Sequence, residues 1–313
     1  MGLAEDVAQG LTSKTKYILS RYFYDARGDQ LFQEIMKMPE YYLTNCEYEI
    51  FSTKGADILK AFSNESKPFD LVEFGAGDGT KTRILLKRLL ENQANFRYIP
   101  IDISGDVLEN LKADLSKEIP KLEVRPENAE YFNALEKIRS ESDRPKLILF
   151  IGSSIGNFRE EVIKKFLDEL FEKMNTGDQI LIGYDLMKDP NVILRAYNDS
   201  SGITRAFNLN VLKRINRELH ADFNLEAFEH YPFYDPESGN AKSYLVSLKR
   251  QTVFLKSLEL KVDFEVGEVI HTEISRKFKV ADIERYFSNS GFQTVEHFYD
   301  CKHYFVDTLA KKP

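Results

Sequence analysis

The chain is short of cysteine, of positive charge and of long apolar runs, and each shortage removes a class of protein. Two cysteines in 313 residues, Cys46 and Cys301, lie far apart and outside any CxxC or metal-ligand spacing. They support neither a disulfide framework nor a zinc site, and two reduced thiols fit a cytoplasmic protein. The five histidines, at positions 220, 230, 271, 297 and 303, have no metal-ligand spacing either. No metal is expected, and no histidine is assigned to catalysis. A formal net charge of −7 leaves no basic stripe for phosphate backbones, which disfavours a nucleic-acid partner. No stretch approaches the roughly 20 apolar residues that span a bilayer. The opening MGLAEDVAQG lacks the basic and apolar regions of a leader, and Asp6 stands where a myristoylation signal after Gly2 requires Ser or Thr. Neither export nor a membrane anchor is expected.

What is present is material for a core: 42% hydrophobic residues, with 23 Phe and 16 Tyr. That length exceeds one small core, so two lobes and small-molecule chemistry are expected. The middle of the chain alternates β-rich apolar runs with helical patterns, the mark of a doubly wound parallel sheet. Phe69 to Gly77, Arg97 to Ser104, Leu122 to Glu127, Lys146 to Ser154 and Asp178 to Leu186 read as five successive strands. KTRILLKRLLENQ and EEVIKKFLDELFEKM between them carry apolar residues at three- and four-residue spacing, one face each for the sheet. The alternation breaks from about Lys188 to Lys277 and returns with the helix VADIERYFSNSGF and the paired runs QTVEHFYD and HYFVDTLAK, an antiparallel hairpin closing the sheet. The predicted lobes are therefore 51–187 with 278–313, and a mixed α+β lobe from 1–50 with 188–277.

Glu73-Phe-Gly75-Ala-Gly77-Asp-Gly79 falls where the first strand turns into the first helix, and its glycines let a ligand approach the backbone. Gly77 and Gly79 are two residues apart, not three as in the dinucleotide fingerprint. This E-x-G-x-G-x-G run resembles the first motif of class I methyltransferases, which wraps the methionine part of S-adenosylmethionine. Asp102, ending the second strand, suits the two ribose hydroxyls as a charged acceptor. Glu130 and Tyr131, after the third strand, lie where that class binds adenine, and Lys81 beside the loop suits the cofactor's carboxylate. The fold class expected is α/β, a Rossmann-like doubly wound sheet of the class I methyltransferase kind.

RYFYDARGDQLFQEI, MPEYYLT, FIGSSIGNF, RAYNDSSGITRAFNLNVLKRINRELHADFNLEAFEH and HTEISRKF, in this order, resemble the histidine Nα-methyltransferases of ergothioneine biosynthesis from about Tyr22 to the C-terminus. The resemblance implies three methyl transfers to the α-nitrogen of free histidine, giving hercynine. It makes Asn157 and Tyr197 the groups that grip the substrate carboxylate. Tyr41 and the backbone of Gly152 would face the amine, with Tyr24 nearby. Glu273 and Ser275 would bind the imidazole, and i, i+2 spacing on a strand lets a carboxylate and a hydroxyl share one face. The segment Ser243-Tyr244 departs from the family, which often has Met and Trp there on the wall near the side-chain pocket.

Methyl transfer from a sulfonium to an amine is an in-line displacement that rests mainly on positioning. The amine must shed its proton first, and Tyr24 and Tyr41 are the candidate relays. A same-fold enzyme for another aromatic amino acid, a non-catalytic binder and a nicotinamide oxidoreductase on the same sheet stay open as alternatives. A monomer is expected.

Overall fold

The computed structural model describes residues 2–62 and 67–313. In chain order the described strands are β1 (Phe69–Phe74), β2 (Phe96–Asp102), β3 (Glu127–Asn128), β4 (Lys146–Phe150), β5 (Gln179–Asp185), β6 (Phe228–Asp235), β7 (Asn240–Ser247), β8 (Gln251–Leu255), β9 (Leu260–Phe264), β10 (Val269–Arg276), β11 (Gln293–Tyr299) and β12 (Phe305–Lys311). Contacts divide the chain into two compact units, 1–42 with 188–277 and 43–187 with 278–313.

The second of these units is built on a seven-stranded sheet of order β11-β12-β5-β4-β1-β2-β3. β1 to β5 pair in parallel, and β12 runs antiparallel to both β5 and β11. β1, β4 and β5 are buried along their whole length, as strands covered on both faces must be; β4 and β5 read as near-continuous apolar runs, and β1 carries Asp70 and Glu73 among its apolar residues. The helix Glu160–Lys173 buries Ile163, Phe166, Leu167 and Leu170, and Thr82–Glu91 buries Leu85, Leu86 and Leu89. Each such Leu or Phe contributes roughly 1.5–3 kcal/mol of burial. The strand expected over Leu122 to Glu127 is shorter: β3 has two residues, preceded by one bridge between Val124 and Tyr98. Pro126 between them has no N–H to give, so the ladder is interrupted there.

A second difference concerns the lobe boundary expected at 50/51. The helix Tyr42–Ala61 runs straight through it, burying Leu43, Cys46, Glu47, Ile50, Phe51, Ile58 and Leu59. A β-carbon on Gly55 of this helix would stand 3.0 Å from Arg88 and 3.4 Å from Leu85, so the helix lies tightly against its neighbour in the same unit. The division therefore falls at its start, after Tyr42.

The other unit holds a three-stranded antiparallel sheet, β10-β7-β6, and the hairpin β8-β9. Its core gathers Val7 and Leu11 of the helix Leu3–Thr12, Leu31 and Ile35 of Ala26–Ile35, and Phe207, Leu212 and Ile215 of Ile203–Leu219, with Phe228, Leu245 and Ile270 from the sheet. Among the described residues no helix is long and apolar enough to cross a membrane.

Candidate active site

In the seven-stranded unit the chain passes from β1 outward to β2 and β3, then returns to β4 on the other side of β1. The C-terminal ends of β1 and β4 thus flank the switch point, where open α/β sheets bind ligands. Gly75, Gly77 and Gly79 follow β1 with φ of +67°, +53° and +66°, a conformation an L side chain adopts only at a cost of roughly 1–2 kcal/mol. A β-carbon on Gly75 would stand 3.0 Å from the Tyr131 hydroxyl, whereas one on Gly77 would meet open space.

Glu73, the acid of the motif, faces inward. It is buried and accepts from Thr82 Oγ1 at 2.6 Å and from the Tyr98 hydroxyl, which fastens the end of β1 to the first helix and to β2. Burial pushes its pKa up to about 7 against the pull of those two donors. Asp102 closes β2 and accepts from Ser104 N at 3.0 Å, leaving further lone pairs for a ligand. Tyr131 opens the helix Tyr131–Glu141 and lies flat on Phe74, with ring centroids 4.9 Å apart and planes within 4°. Burial, then the charges of Asp102 and Glu130, push the Tyr131 phenol up to about 12, so it stays a neutral donor. The structure therefore brings Gly75, Gly77, Gly79, Asp102, Glu130 and Tyr131 to one end of the sheet.

Lys81 turns inward instead of to solvent. It pairs with the buried Glu47, whose two oxygens also accept from Gly152 N at 2.8 and 3.0 Å. Gly152 follows β4 at φ +78°, and Asn157 ends the 3-10 turn Ser154–Asn157 just after it, exposed. Asp307 of β12 is fully buried, and as a carboxylate it would find no donor. Burial and the neighbouring charge of Glu47 push its pKa well above the usual carboxylate range. Gly183 of β5 explains the fit, since a side chain there would collide with both carboxyl groups. Neither Glu47 nor Asp307 is legible locally, because Glu47 meets Gly152 across 105 positions of sequence.

The remaining candidates belong to the other unit. Glu273, Ser275 and, one step beyond β10, Lys277 follow i, i+2, i+4 spacing. Ser243 of β7 sits in register opposite Glu273 and hydrogen-bonds it. The departure at Ser243 is thus beside the proposed imidazole reader. Desolvation pushes the Glu273 carboxyl up to about 7, opposed by the charge of Lys277 and by Ser243. Tyr197 caps the helix Pro190–Ala196, is buried, and its hydroxyl donates to Ser275 Oγ at 2.8 Å. Tyr24 and Tyr41 both meet Phe32 edge-on, at 5.6 and 6.3 Å between centroids. The alternation that picks out Glu273 and Ser275 reaches Lys277 at its next step, the local signal that marks it.

The sheet with its reversed strand β12, the glycine turn after β1 and the acid ending β2 define a class I methyltransferase. The residues fit S-adenosylmethionine, because the turn leaves backbone open at Gly77 while Asp102 supplies an acceptor. More narrowly, residues 3–312 match the family described as histidine-specific, S-adenosylmethionine-dependent methyltransferases, and the chain belongs to that family. It is 37% identical over 298 residues to a histidine N-alpha-methyltransferase of Mycolicibacterium smegmatis, covering 95% of this chain and 91% of that one. A histidine N-alpha-methyltransferase of Mycobacterium tuberculosis is 34% identical, covering 100% and 95%. Ergothioneine biosynthesis protein 1 of Neurospora crassa is 31% identical over 92% of this chain and 32% of its own length.

Proposed function

We propose that this protein transfers methyl groups from S-adenosylmethionine to the α-amine of free L-histidine, three times, giving hercynine. One observation carries the histidine reading: a carboxylate and a hydroxyl, Glu273 and Ser275, sit two residues apart on β10 in a chain of the histidine-specific family. An imidazole has one N–H for a carboxylate and one bare nitrogen for a hydroxyl, whereas an indole has no such nitrogen and leaves a partner unmet, at roughly 1–3 kcal/mol.

In this reading Asn157 and Tyr197 hold the carboxylate, and Tyr41 with the Gly152 backbone faces the amine. Gly75, Gly77, Gly79, Lys81, Asp102, Glu130 and Tyr131 hold the cofactor, which supplies an electrophilic methyl carbon on a sulfonium. Tyr41, or Tyr24 beside the same Phe32 ring, takes the proton that the amine sheds. Their faces suit the product as well, because a quaternary ammonium keeps its charge after losing its donors and is held by cation–π attraction. Two cysteines outside any disulfide, one of them exposed, favour the cytosol, and the protein acts as a monomer on a free amino acid.

The test is direct. The protein is incubated with S-adenosylmethionine and an equimolar mixture of histidine, tryptophan and tyrosine, and the product masses are read. Histidine carrying three added methyls is expected. Methylated tryptophan or tyrosine in its place overturns the assignment of the acceptor.

A further inference from the structure

Lys277 takes no part in the roles above, yet its side chain is almost wholly buried, with 1% of the residue exposed. An ammonium gives up strong hydration to sit there, so it is retained only where its charge and its hydrogens are used. Its Nζ stands 2.7 Å from the Tyr197 hydroxyl and 2.9 Å from Ser275 Oγ, and those two oxygens are 2.8 Å apart. The same Nζ lies 4.8 Å from the centre of the Tyr197 ring. Three groups thus close a triangle whose hydrogens can be counted. An ammonium only donates, so both oxygens accept from Lys277. One hydroxyl hydrogen occupies the line between the two oxygens, and the other is left to point away from the triangle. With the Tyr197 hydroxyl donating to Ser275 Oγ, the hydrogen that points away is that of Ser275. Beside it, the charge of Lys277 opposes the desolvation of Glu273, which favours the ionised, accepting form of that carboxyl.

We propose that Lys277 is a positioning residue for the amino-acid substrate, acting through Tyr197 and Ser275 to aim one hydroxyl hydrogen at the ligand beside the Glu273 carboxyl. The inference rests on the histidine reading, because it requires Tyr197 and Ser275 to touch the substrate. It also adds to that reading: the acceptor and donor so arranged match a neutral imidazole, and an imidazolium would bring a second N–H against a donor.

The experiment compares Lys277→Met, Lys277→Arg and the unaltered protein in steady-state turnover of histidine at saturating S-adenosylmethionine, with calorimetric binding of S-adenosylhomocysteine as the measure of an intact cofactor end. Lys277→Met is expected to raise the KM for histidine about 10- to 100-fold, to lower kcat by less than about threefold, and to leave the S-adenosylhomocysteine Kd within about twofold. Lys277→Arg, which keeps the charge and the donors, is expected to recover most of the KM. A histidine KM within about twofold of the unaltered protein in Lys277→Met overturns the proposal, as does equal impairment of both variants. If Lys277→Met fails to bind S-adenosylhomocysteine, Lys277→Gln takes its place with the same two readings. The histidine reading fails separately, when the unaltered protein makes no methylated histidine.

Discussion

Replacing Glu273 by Gln sets stability against function in a way that pH resolves. The carboxyl titrates near 7 in the folded chain instead of near its ordinary 4.5, because desolvation outweighs the help of Lys277 and Ser243. The native state therefore holds this proton more tightly than the unfolded chain does. Between about pH 4.5 and pH 7 the native state binds more protons than the unfolded one, so the unaltered protein loses stability as pH rises, and the loss is complete above about pH 7. At about 1.4 kcal/mol per pH unit the gap corresponds to up to about 3 kcal/mol. Gln fills the same space and does not titrate. Relative to the unaltered protein, Glu273→Gln gains nothing from this source near pH 4.5 and up to about 3 kcal/mol at pH 8, roughly 5 °C in melting temperature. Histidine binding moves the other way, by about tenfold, since a charged acceptor gives way to a neutral amide oxygen. Thermal melts at about pH 5 and about pH 8, with calorimetry of histidine binding at the higher pH, make the check. A melting difference that is equal at the two pH values refutes the argument that Glu273 is a desolvated, titrating carboxyl.

Three further outcomes are expected. Gly75→Ala places a side chain at φ +67° with its β-carbon 3.0 Å from the Tyr131 hydroxyl, and should weaken S-adenosylhomocysteine binding by about tenfold or more in a calorimeter; an unchanged Kd would remove the glycine turn from the cofactor site. Burial pushes His230 down to about 4, so the unfolded chain binds the extra proton first and stability falls as pH drops from about 6.5 toward 4. His230→Gln should remove up to about 3 kcal/mol of that acid loss in denaturant titrations, and identical acid slopes in the two proteins would contradict it. Arg97 holds the buried Asp70 through two hydrogen bonds of 2.8 Å, so Arg97→Met should cost about 3–5 kcal/mol in denaturant unfolding, with much of it regained when Asp70→Asn is added; a loss under about 1 kcal/mol would show that water reaches the carboxylate.

The chain's local patterns determined much of this protein. Apolar-rich runs at β1, β4 and β5 announce strands covered on both faces, and the spacing of Gly75, Gly77 and Gly79 sets the cofactor turn apart from a dinucleotide loop, because periodicity and φ preference are properties of neighbouring residues. Alternation along HTEIS likewise puts Glu273 and Ser275 on a shared face before any fold is known. Tertiary structure decided what depends on distant partners. Leu122 to Glu127 carries strand composition, but Pro126 allows only an interrupted pairing with β2. Lys81 reads as a partner for the cofactor's carboxylate, and only the fold shows that Glu47 arrives from the preceding helix to pair with it. The raised pKa of Asp307 follows from its burial and from Glu47, and the triangle of Lys277, Tyr197 and Ser275 joins positions 78 and 80 residues apart. Charge state and hydrogen-bond direction depend on burial and on the facing group, and neither quantity exists until the chain has folded.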